Sequence, residues 1–371
     1  MKLLLVSAFT GHSGSAIRFT NIAVQLRRLG HTVVYVERDS PQVDLGPLPD
    51  GIPTHRCPVT RNLVLDMVLS TCFNLWMLLR NLDSDIYYAL KPGPNNCFPA
   101  MVARFLGKRI FLDVDDLDYG YFQGGVKLAV SRVFFDGFPR FFEVITCHTV
   151  GLQRYLVDTL HIPGSRVHFL AQGVSEPFIK TPPVKTAPAK SVVYSATLGI
   201  TSDLPEMLPL FSAVLRQHPD SVVKIIGDGV RRREFEALSA AAGIGDRMRF
   251  LGWVDHRDLP AVLSDNWVGV NYMRKSFHND CRAILKIREY LARELPVVCN
   301  DVGDAGAFRD HVHIEPSLET MEKRVCQLLN EPWRPNAQGR LFVAQLYGWK
   351  KIVAEFNRER IVGPALSIGS K

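Results

Sequence analysis

The feature that most constrains the fold is a strand, loop, helix and strand pattern that starts at the first residues. Leu3 to Val6 is a short apolar run, and the loop 11–15 leads from it into a helical pattern over 17–29. Gly30 ends that helix, and the largely β-branched run 31–36 predicts a second, buried strand. Such a βαβ unit predicts parallel strands joined by a right-handed crossover.

The same alternation occurs twice along the chain. Apolar runs at 86–90, 110–114 and 144–147 are spaced to continue the first sheet. The segment 177–190 is rich in proline and lacks periodicity, which predicts an interdomain linker. Strand and helix patterns then restart at Ser191, and 371 residues are enough for two domains. We therefore predict two successive doubly wound α/β domains with a ligand cleft between them.

Composition excludes several classes of protein. The formal net charge of +7 suits anionic partners such as nucleotides, but no arginine-rich arm or zinc-finger spacing indicates nucleic acid. Seven scattered cysteines without a CxxC favour reduced thiols, and hence a cytoplasmic protein without a disulfide framework or metal site. The apolar start fits a buried strand better than a signal peptide. No apolar run reaches the roughly 20 uncharged residues of a membrane-spanning helix.

The order of several motifs resembles one enzyme family. The second half is similar to the nucleotide-sugar-binding half of family-4-like glycosyltransferases (glycosyl transferases group 1). In the first half, GHTV at 30–33 and QGV at 172–174 resemble that family's "GHxV" and "NGV" segments. The second half carries the strand and Gly-x-Gly turn VKIIGDG at 223–229, the segment DRMRFLGWVDHRDL at 246–259, LKIREYLA at 285–292 and LPVV at 295–298.

The resemblance implies the GT-B fold, in which two Rossmann-like domains face a cleft. It implies an acceptor-binding domain over 1–176, the linker 177–190, a nucleotide-sugar-binding domain over 191–345 and a last helix, 346–371, that crosses back to the first domain. The activity it implies is transfer of a sugar from a nucleotide-diphosphate sugar to a hydroxyl of a glycan, glycolipid or natural product, with retention of configuration. The alternatives are a non-catalytic nucleotide-sugar-binding member or partner subunit, and another GT-B enzyme such as an epimerase.

On the donor side, Glu289 is the principal candidate. In the resembled family this glutamate accepts hydrogen bonds from the ribose hydroxyls of the donor, a role that suits a fixed carboxylate. The family often has a second glutamate eight positions earlier, where this chain has Cys281; the neighbouring Asp280 is the replacement we consider. A solvated helix glutamate is the alternative reading of Glu289.

The donor diphosphate requires cations or N–H groups, because negative charge develops on the leaving group. The family's usual Arg and Lys pair is missing here, since Thr197 and Ser202 occupy those positions. Arg274, Arg282 and Lys286 are the replacements, with Arg282 and Lys286 expected on one face at the start of the Glu289 helix. Four further residues are expected near the donor, the glycines as tight-turn residues: Gly227, Gly229, Trp253 and Val254.

On the acceptor side, the loop 11–15 is expected to face the cleft, with His12 as a catalytic candidate and Gly14 and Ser15 as donor-binding candidates at a helix N-terminus. Asp115 and Asp116 follow a buried strand, and Asp115 stands near the place of a histidine that many relatives have. An aspartate there can accept a proton from the acceptor hydroxyl or orient it. Helix capping, loop solvation and a divalent ion are the alternatives.

Two aromatic and apolar segments, 63–80 and 119–142, form candidate amphipathic faces for a membrane surface, with burial in the core as the alternative. The predicted partners are thus a nucleotide-sugar donor and a sugar, lipid-linked or small-molecule acceptor, with peripheral contact at the inner face of a membrane. We expect no cofactor, no required metal and no nucleic acid.

Overall fold

The computed structural model of the chain describes residues 1–7, 13–40, 46–60, 62–122, 124–182, 189–199 and 202–363. They divide into two compact units. Unit 1 comprises Met1–Gly173 and Trp349–Lys371, and unit 2 comprises Val174–Gly348. Each unit contains one parallel sheet with helices, and each is described by itself.

Unit 1 is built on a sheet whose seven described strands are all parallel. Their order is β3-β2-β1-β4-β5-β6-β7, so the chain winds outward in both directions from the β1–β4 pair. That pair is the topological switch point of the sheet, where ligands bind in doubly wound folds. The strands are β1 (Lys2–Ser7), β2 (Thr32–Arg38), β3 (Thr54–Cys57), β4 (Ile86–Leu90), β5 (Arg109–Val114), β6 (Val144–Cys147) and β7 (Val167–Phe169).

Three helices of unit 1 begin at side chains that accept hydrogen bonds from the first turn, whereas two begin after glycines. Ser13 accepts from the backbone N–H of Ala16 at 3.1 Å, and Asn62 accepts from those of Val64 and Leu65. The helices that begin at such side chains are α1 (Gly14–Arg28), α2 (Leu63–Arg80) and α5 (Val150–Arg154), and those that begin after glycines are α3 (Pro94–Phe105) and α4 (Gly125–Arg132).

Unit 2 repeats the design with six described parallel strands in the order β10-β9-β8-β11-β12-β13. Its switch point is the β8–β11 pair. The strands are β8 (Ser191–Ser195), β9 (Val222–Ile226), β10 (Met248–Gly252), β11 (Val268–Asn271), β12 (Val297–Cys299) and β13 (His313–Ile314). The helices are α6 (Glu176–Lys180), α7 (Leu204–Gln217), α8 (Arg232–Ala241), α9 (Leu259–Ser264), α10 (Phe277–Asp280), α11 (Leu285–Ala292), α12 (Leu318–Asn330) and α13 (Ala337–Leu346).

The last described helix, α14 (Trp349–Phe356), returns the chain to unit 1. Its apolar face packs on α1, with Val353 and Phe356 fully buried among the rings of Phe19 and Tyr88. A Cβ on Gly173 would lie 2.5 Å from the Trp349 indole, so only glycine lets this tryptophan pack there.

The segment predicted as a linker has a different structure where it is described. Residues Glu176–Lys180 form α6 within unit 2, and the buried Arg293 on the end of α11 donates hydrogen bonds to the carbonyls of Phe178, Thr181 and Pro182. Residues 183–188 lie outside the described part. The boundary between the units falls at 173/174, before the proline-rich stretch, because α6 packs on α11.

Candidate functional site

The carboxyl edge of the unit 2 sheet brings the main candidate residues together. Strands β8 and β11 are neighbours, so the segments that follow them, 196–203 and 272–284, start side by side. The Arg274 side chain crosses from the second segment to the first, with its Nε 2.7 Å from an oxygen of the buried Asp203. This edge is where a doubly wound sheet binds ligands.

Glu289 lies on α11 with its side chain only 6% exposed. Its Oε1 is 3.2 Å from Nε2 of His256, which follows β10. The next residue of α11, Tyr290, accepts a hydrogen bond at its hydroxyl from the backbone N–H of Ser195 at the end of β8. The helix that carries Glu289 is therefore tied directly to the switch point.

Lys286 lies one turn before Glu289 and contacts the same edge. Its Nζ is 4.9 Å from the centroid of the Tyr194 ring, within the range of a cation–π interaction. Burial, together with the neighbouring Arg282, lowers the pKa of Lys286 to about 8, against the opposing effect of Asp203 and Glu289. A lysine in this state gains from a nearby anion, and a diphosphate would supply one.

The other predicted cations differ from expectation. Arg282 was expected on the Glu289 helix, but α11 begins at Leu285, and Arg282 lies in the turn before it. The helix starts late because Asp304 accepts the backbone N–H of Ile284 at 2.8 Å and so caps the first turn. Arg274 is paired with Asp203 and lies 3.4 Å from Glu206, so these carboxylates partly neutralise its charge.

The remaining donor-side candidates lie on the same edge of unit 2. Asp280 ends α10 and is half-buried. The Trp253 side chain follows β10 and is exposed, and Val254 packs partly into the core. Gly227 and Gly229 follow β9, where Cβ atoms would lie 1.9 Å from the carbonyl oxygen of Ala196 and 2.4 Å from that of Leu198. The glycines are thus required by close packing of two loops at the site.

Unit 1 has a charged cluster at its own switch point. Lys91 follows β4, is 4% exposed and has a left-handed φ of 65°. Its Nζ lies 3.3 Å from Oδ1 of Asp115 and 2.6 Å from Oδ1 of Asp118. These carboxylates raise the pKa of Lys91 despite its burial. The cluster places Asp115 beside a fixed ammonium group.

Two further aspartates, one within β5 and one after it, form contacts of their own. Asp113 is fully buried and forms a two-pronged ion pair with Arg18 of α1, which also binds the carbonyls of Leu170 and Ala171. Asp116 accepts the backbone N–H of Leu117 at 3.1 Å. Asp113 therefore serves the fold, whereas Asp115 and Asp116 lie at the edge of the sheet.

Of the loop 11–15, the structure describes Ser13, Gly14 and Ser15; Gly11 and His12 lie outside the described residues. Ser13 caps α1, which begins at Gly14. A Cβ on Gly14 would meet no atom within 4 Å, so there is open space beside this helix N-terminus in unit 1.

Helix α2 exposes many of its apolar side chains and buries three polar ones. Asp66, Ser70 and Asn74, one turn apart, face inward; Asp66 binds Arg38 at 2.7 Å and Asn74 binds the carbonyl of Asn95 at 2.8 Å. Among the described helices, α2 alone is long and apolar enough to cross a membrane by length and composition. Its exposed apolar side chains are Leu63, Val64, Leu65, Val68, Leu69, Trp76 and Leu79.

The second segment considered for a membrane face is mixed. Phe134 and Phe135 are buried, whereas Val126, Val133 and Phe141 are exposed. Within the described ranges, no group of three or more His, Cys, Asp or Glu side chains is arranged to hold a metal ion.

Sequence reasoning missed three residues of these sites: His256, Lys91 and Asp203. His256 lies in the segment DRMRFLGWVDHRDL at 246–259, which resembles a family motif, but the sequence analysis gave this histidine no role. Lys91 begins the sequence KPGP directly after β4, the strand next to β5. Because neighbouring parallel strands end at the same edge of a sheet, this position was a signal that Lys91 lies near the aspartates at the end of β5.

Two doubly wound parallel sheets in one chain, the second with a buried carboxylate and cations at its switch point, are the arrangement expected of the GT-B fold. A family model described as Glycosyl transferases group 1 matches residues 190–331, within unit 2. That segment is accordingly a glycosyltransferase domain, and the predicted fold, resemblance and enzyme class are confirmed. No curated protein matches the sequence significantly.

Solved structures of similar fold cover nearly the whole chain at low identity. Anabaena Alr3699/HepE in complex with UDP-glucose is 13% identical over 99% of both chains, with a TM-score of 0.74. WaaG, a glycosyltransferase involved in lipopolysaccharide biosynthesis, is 14% identical over 96% of this chain and 99% of its own, with a TM-score of 0.73. A putative UDP-N-acetylglucosamine 2-epimerase from Listeria monocytogenes is 11% identical over 98% and 97%, at 0.64.

Proposed function

We propose that this glycosyltransferase takes a sugar from a nucleoside-diphosphate donor bound at the carboxyl edge of unit 2 and transfers it to a hydroxyl of a glycan, glycolipid or natural product. The observation that carries the proposal is the buried Glu289 carboxylate one turn from Lys286, at the switch point. Glu289 accepts the ribose hydroxyls, and Lys286 with Arg282 neutralises the diphosphate. The UDP-glucose complex of HepE supports this class of donor.

Unit 1 supplies the acceptor side in this proposal. Asp115 orients or deprotonates the acceptor hydroxyl, and the ammonium group of Lys91 fixes its carboxylate. Asp116, Gly14 and Ser15 border the same edge as secondary candidates, and His12 retains its predicted role. Retention of the anomeric configuration is the expectation from the family resemblance, and NMR of the first-formed product tests it.

No metal is needed in this scheme, because Lys286 and Arg282 supply positive charge for the leaving diphosphate. In assays without added divalent ions, turnover should be the same with and without excess EDTA. Loss of activity in EDTA that Mg²⁺ restores would contradict this part of the proposal.

The direct test is consumption of the donor. UDP-, GDP- and ADP-glucose and UDP-N-acetylglucosamine are incubated with the protein and a mixed glycolipid extract, and release of nucleoside diphosphate is followed. We expect release from one donor, with transfer of its sugar, and at least about tenfold slower release by Asp115→Asn. Tight nucleotide binding without any release would favour the non-catalytic alternative. Interconversion of sugars without transfer, the reaction named for the Listeria structure, would favour an epimerase.

We further propose that the exposed face of α2 lies in an anionic membrane surface on the cytoplasmic side. The face is apolar, Arg80 at its end lies over the Trp76 ring at 5.1 Å, and Arg104 is exposed on α3, which packs against α2. The involvement of WaaG in lipopolysaccharide biosynthesis supports a lipid-linked acceptor.

Vesicle sedimentation tests the membrane proposal. The protein should pellet with vesicles of anionic phosphatidylglycerol and less with neutral phosphatidylcholine, and Val64→Ser combined with Leu79→Ser should reduce pelleting at least about fivefold. Leu341→Ser, an exposed apolar position in unit 2, is the matched control and should pellet like the wild type. Equal pelleting of both variants would contradict the proposal.

A further inference from the structure

The Glu289 carboxylate has a single hydrogen-bond partner within the described part of the chain. Nε2 of His256 lies 3.2 Å from Oε1, and the carboxylate forms no other hydrogen bond there. The side chain is 6% exposed, and a carboxylate so deeply buried needs partners to offset its lost hydration. One oxygen is therefore held by the protein, and the other has capacity for a ligand.

Two neighbours determine where the His256 ring stands. Asp255 folds the loop after β10 into a tight turn by accepting the backbone N–H of Arg257 at 2.8 Å. On the other side, the ring packs against fully buried Phe178 of α6, with 5.0 Å between ring centroids. The ring thus lies between Phe178 and Glu289, with its Nε2 facing the carboxylate.

This arrangement matters because a glutamate side chain has three rotatable bonds. A free carboxylate would sample several rotamers, and a ligand that needs one of them would have to order it on binding. A hydrogen bond from an immobilised ring removes that cost and fixes the plane of the carboxylate. A flat, fixed carboxylate can accept both hydroxyls of a vicinal diol.

We propose that His256 is a positioning residue that holds Glu289 for the ribose diol and so sets a preference for ribonucleotides over 2′-deoxyribonucleotides. The proposal rests on the ribose-binding role proposed above for Glu289. His256 contacts Glu289 in this account and acts on the nucleotide through it.

The test measures nucleotide affinity by calorimetry with two matched pairs of probes, UDP with 2′-deoxy-UDP and GDP with 2′-deoxy-GDP. The pair that binds measurably is used to obtain the ratio of the deoxy to the ribo dissociation constant. This ratio is compared for the wild type, His256→Ala, His256→Gln and Glu289→Ala. Arg249→Ala, an exposed position on β10 just before the same loop, is the matched control.

We expect a wild-type ratio of about 10 to 100, as for a site that loses hydrogen bonds to a charged group. Glu289→Ala should bring the ratio to about 1, since no carboxylate remains to sense the hydroxyl. His256→Ala should lower it at least about threefold. His256→Gln places an amide N–H near the position of Nε2 and should keep the ratio within about twofold, as should Arg249→Ala.

The ratio separates positioning from a purely structural role. If His256→Ala weakens both nucleotides equally and keeps the wild-type ratio, the inference is wrong, whatever happens to stability. If Glu289→Ala keeps the wild-type ratio, or if UDP, GDP and ADP all fail to bind, the ribose assignment itself fails. Should His256→Ala fail to fold by circular dichroism, His256→Leu retains the contact with Phe178 without a donor and must lower the ratio by the same factor.

Discussion

At the residue scale, the perturbed titration of Lys286 predicts how donor binding depends on pH. Its pKa of about 8 means that the side chain is charged at pH 7 and mostly neutral at pH 9. If the ammonium group binds the diphosphate, nucleotide affinity should be flat below pH 7 and fall by up to about tenfold per unit above pH 8. The affinity falls as the pH rises because a bound anion favours the protonated form of Lys286.

The matched variants for this prediction are Lys286→Arg and Lys286→Met. Arginine stays charged throughout, so its profile should be flat from pH 7 to 9.5. Methionine should bind about 10- to 100-fold more weakly at pH 7, with no decline above pH 8. Calorimetry in buffers of differing ionisation enthalpy checks this, since the wild type must take up a proton on binding at pH 9. A wild-type profile without a decline would contradict the assignment.

The Lys91 cluster predicts that replacing Lys91 causes a large loss of stability, part of which a second substitution restores. Lys91 and Asp115 are both 5% exposed in their side chains, so Lys91→Met leaves a buried carboxylate without its cation. We expect a loss of about 3–5 kcal/mol in the free energy of unfolding, measured with urea. Adding Asp115→Asn should restore part of it, because the uncompensated charge is removed. Losses that simply add in the double variant would show that the two groups do not interact.

The roles of individual residues were harder to predict from the sequence than the strands and helices. The motif around Glu289 singled out a residue that is buried in the structure, and its ribose-binding role stays a prediction. His256 and Lys91 contact partners that are 33 and 24 residues away in the sequence. Such pairs follow from the order of the strands in the sheet, and a local sequence pattern does not reveal them. Arg274 illustrates the reverse: its position was foreseen, but its pairing with Asp203 was not.

At the element scale, the loops after β8 and β9 set a strict packing requirement. Gly227 has a φ of 128°, and a Cβ there would lie 1.9 Å from the carbonyl oxygen of Ala196. Gly227→Ala should cost at least about 2 kcal/mol in the free energy of unfolding, since backbone must move. Gly199→Ala in the facing loop has its nearest atom at 3.9 Å and should change stability by less than about 0.5 kcal/mol. Similar melting of both variants would contradict this packing account.

The major strands could be predicted because parallel strands buried on both faces are continuous apolar runs. The strands β3, β7 and β13 were missed, since they include polar residues and are not continuous apolar runs. The sequence alone also did not decide whether the apolar face of α2 is exposed or buried. Its apolar stripe is exposed because the polar stripe of Asp66, Ser70 and Asn74 is satisfied inside by specific partners.

At the scale of the whole molecule, the chain consists of two doubly wound units with separate switch points. The doubling was visible in the sequence as a pattern that restarts at Ser191. The boundary was placed too late, because a proline-rich stretch can begin a helix as well as a linker, and Pro177 stands in the first turn of α6. The central claim concerns unit 2: that its switch point binds a nucleoside diphosphate through Glu289.

The most direct measurement is calorimetric titration of the full chain with UDP, GDP, dTDP and ADP, for the wild type and Glu289→Ala. We predict that one of the ribonucleoside diphosphates UDP, GDP and ADP binds with a dissociation constant in the micromolar range and more tightly than dTDP, which lacks the 2′-hydroxyl. Glu289→Ala should weaken this binding at least about tenfold while the variant melts like the wild type. Binding of none of the four to folded protein, or equal binding to Glu289→Ala, would contradict the claim.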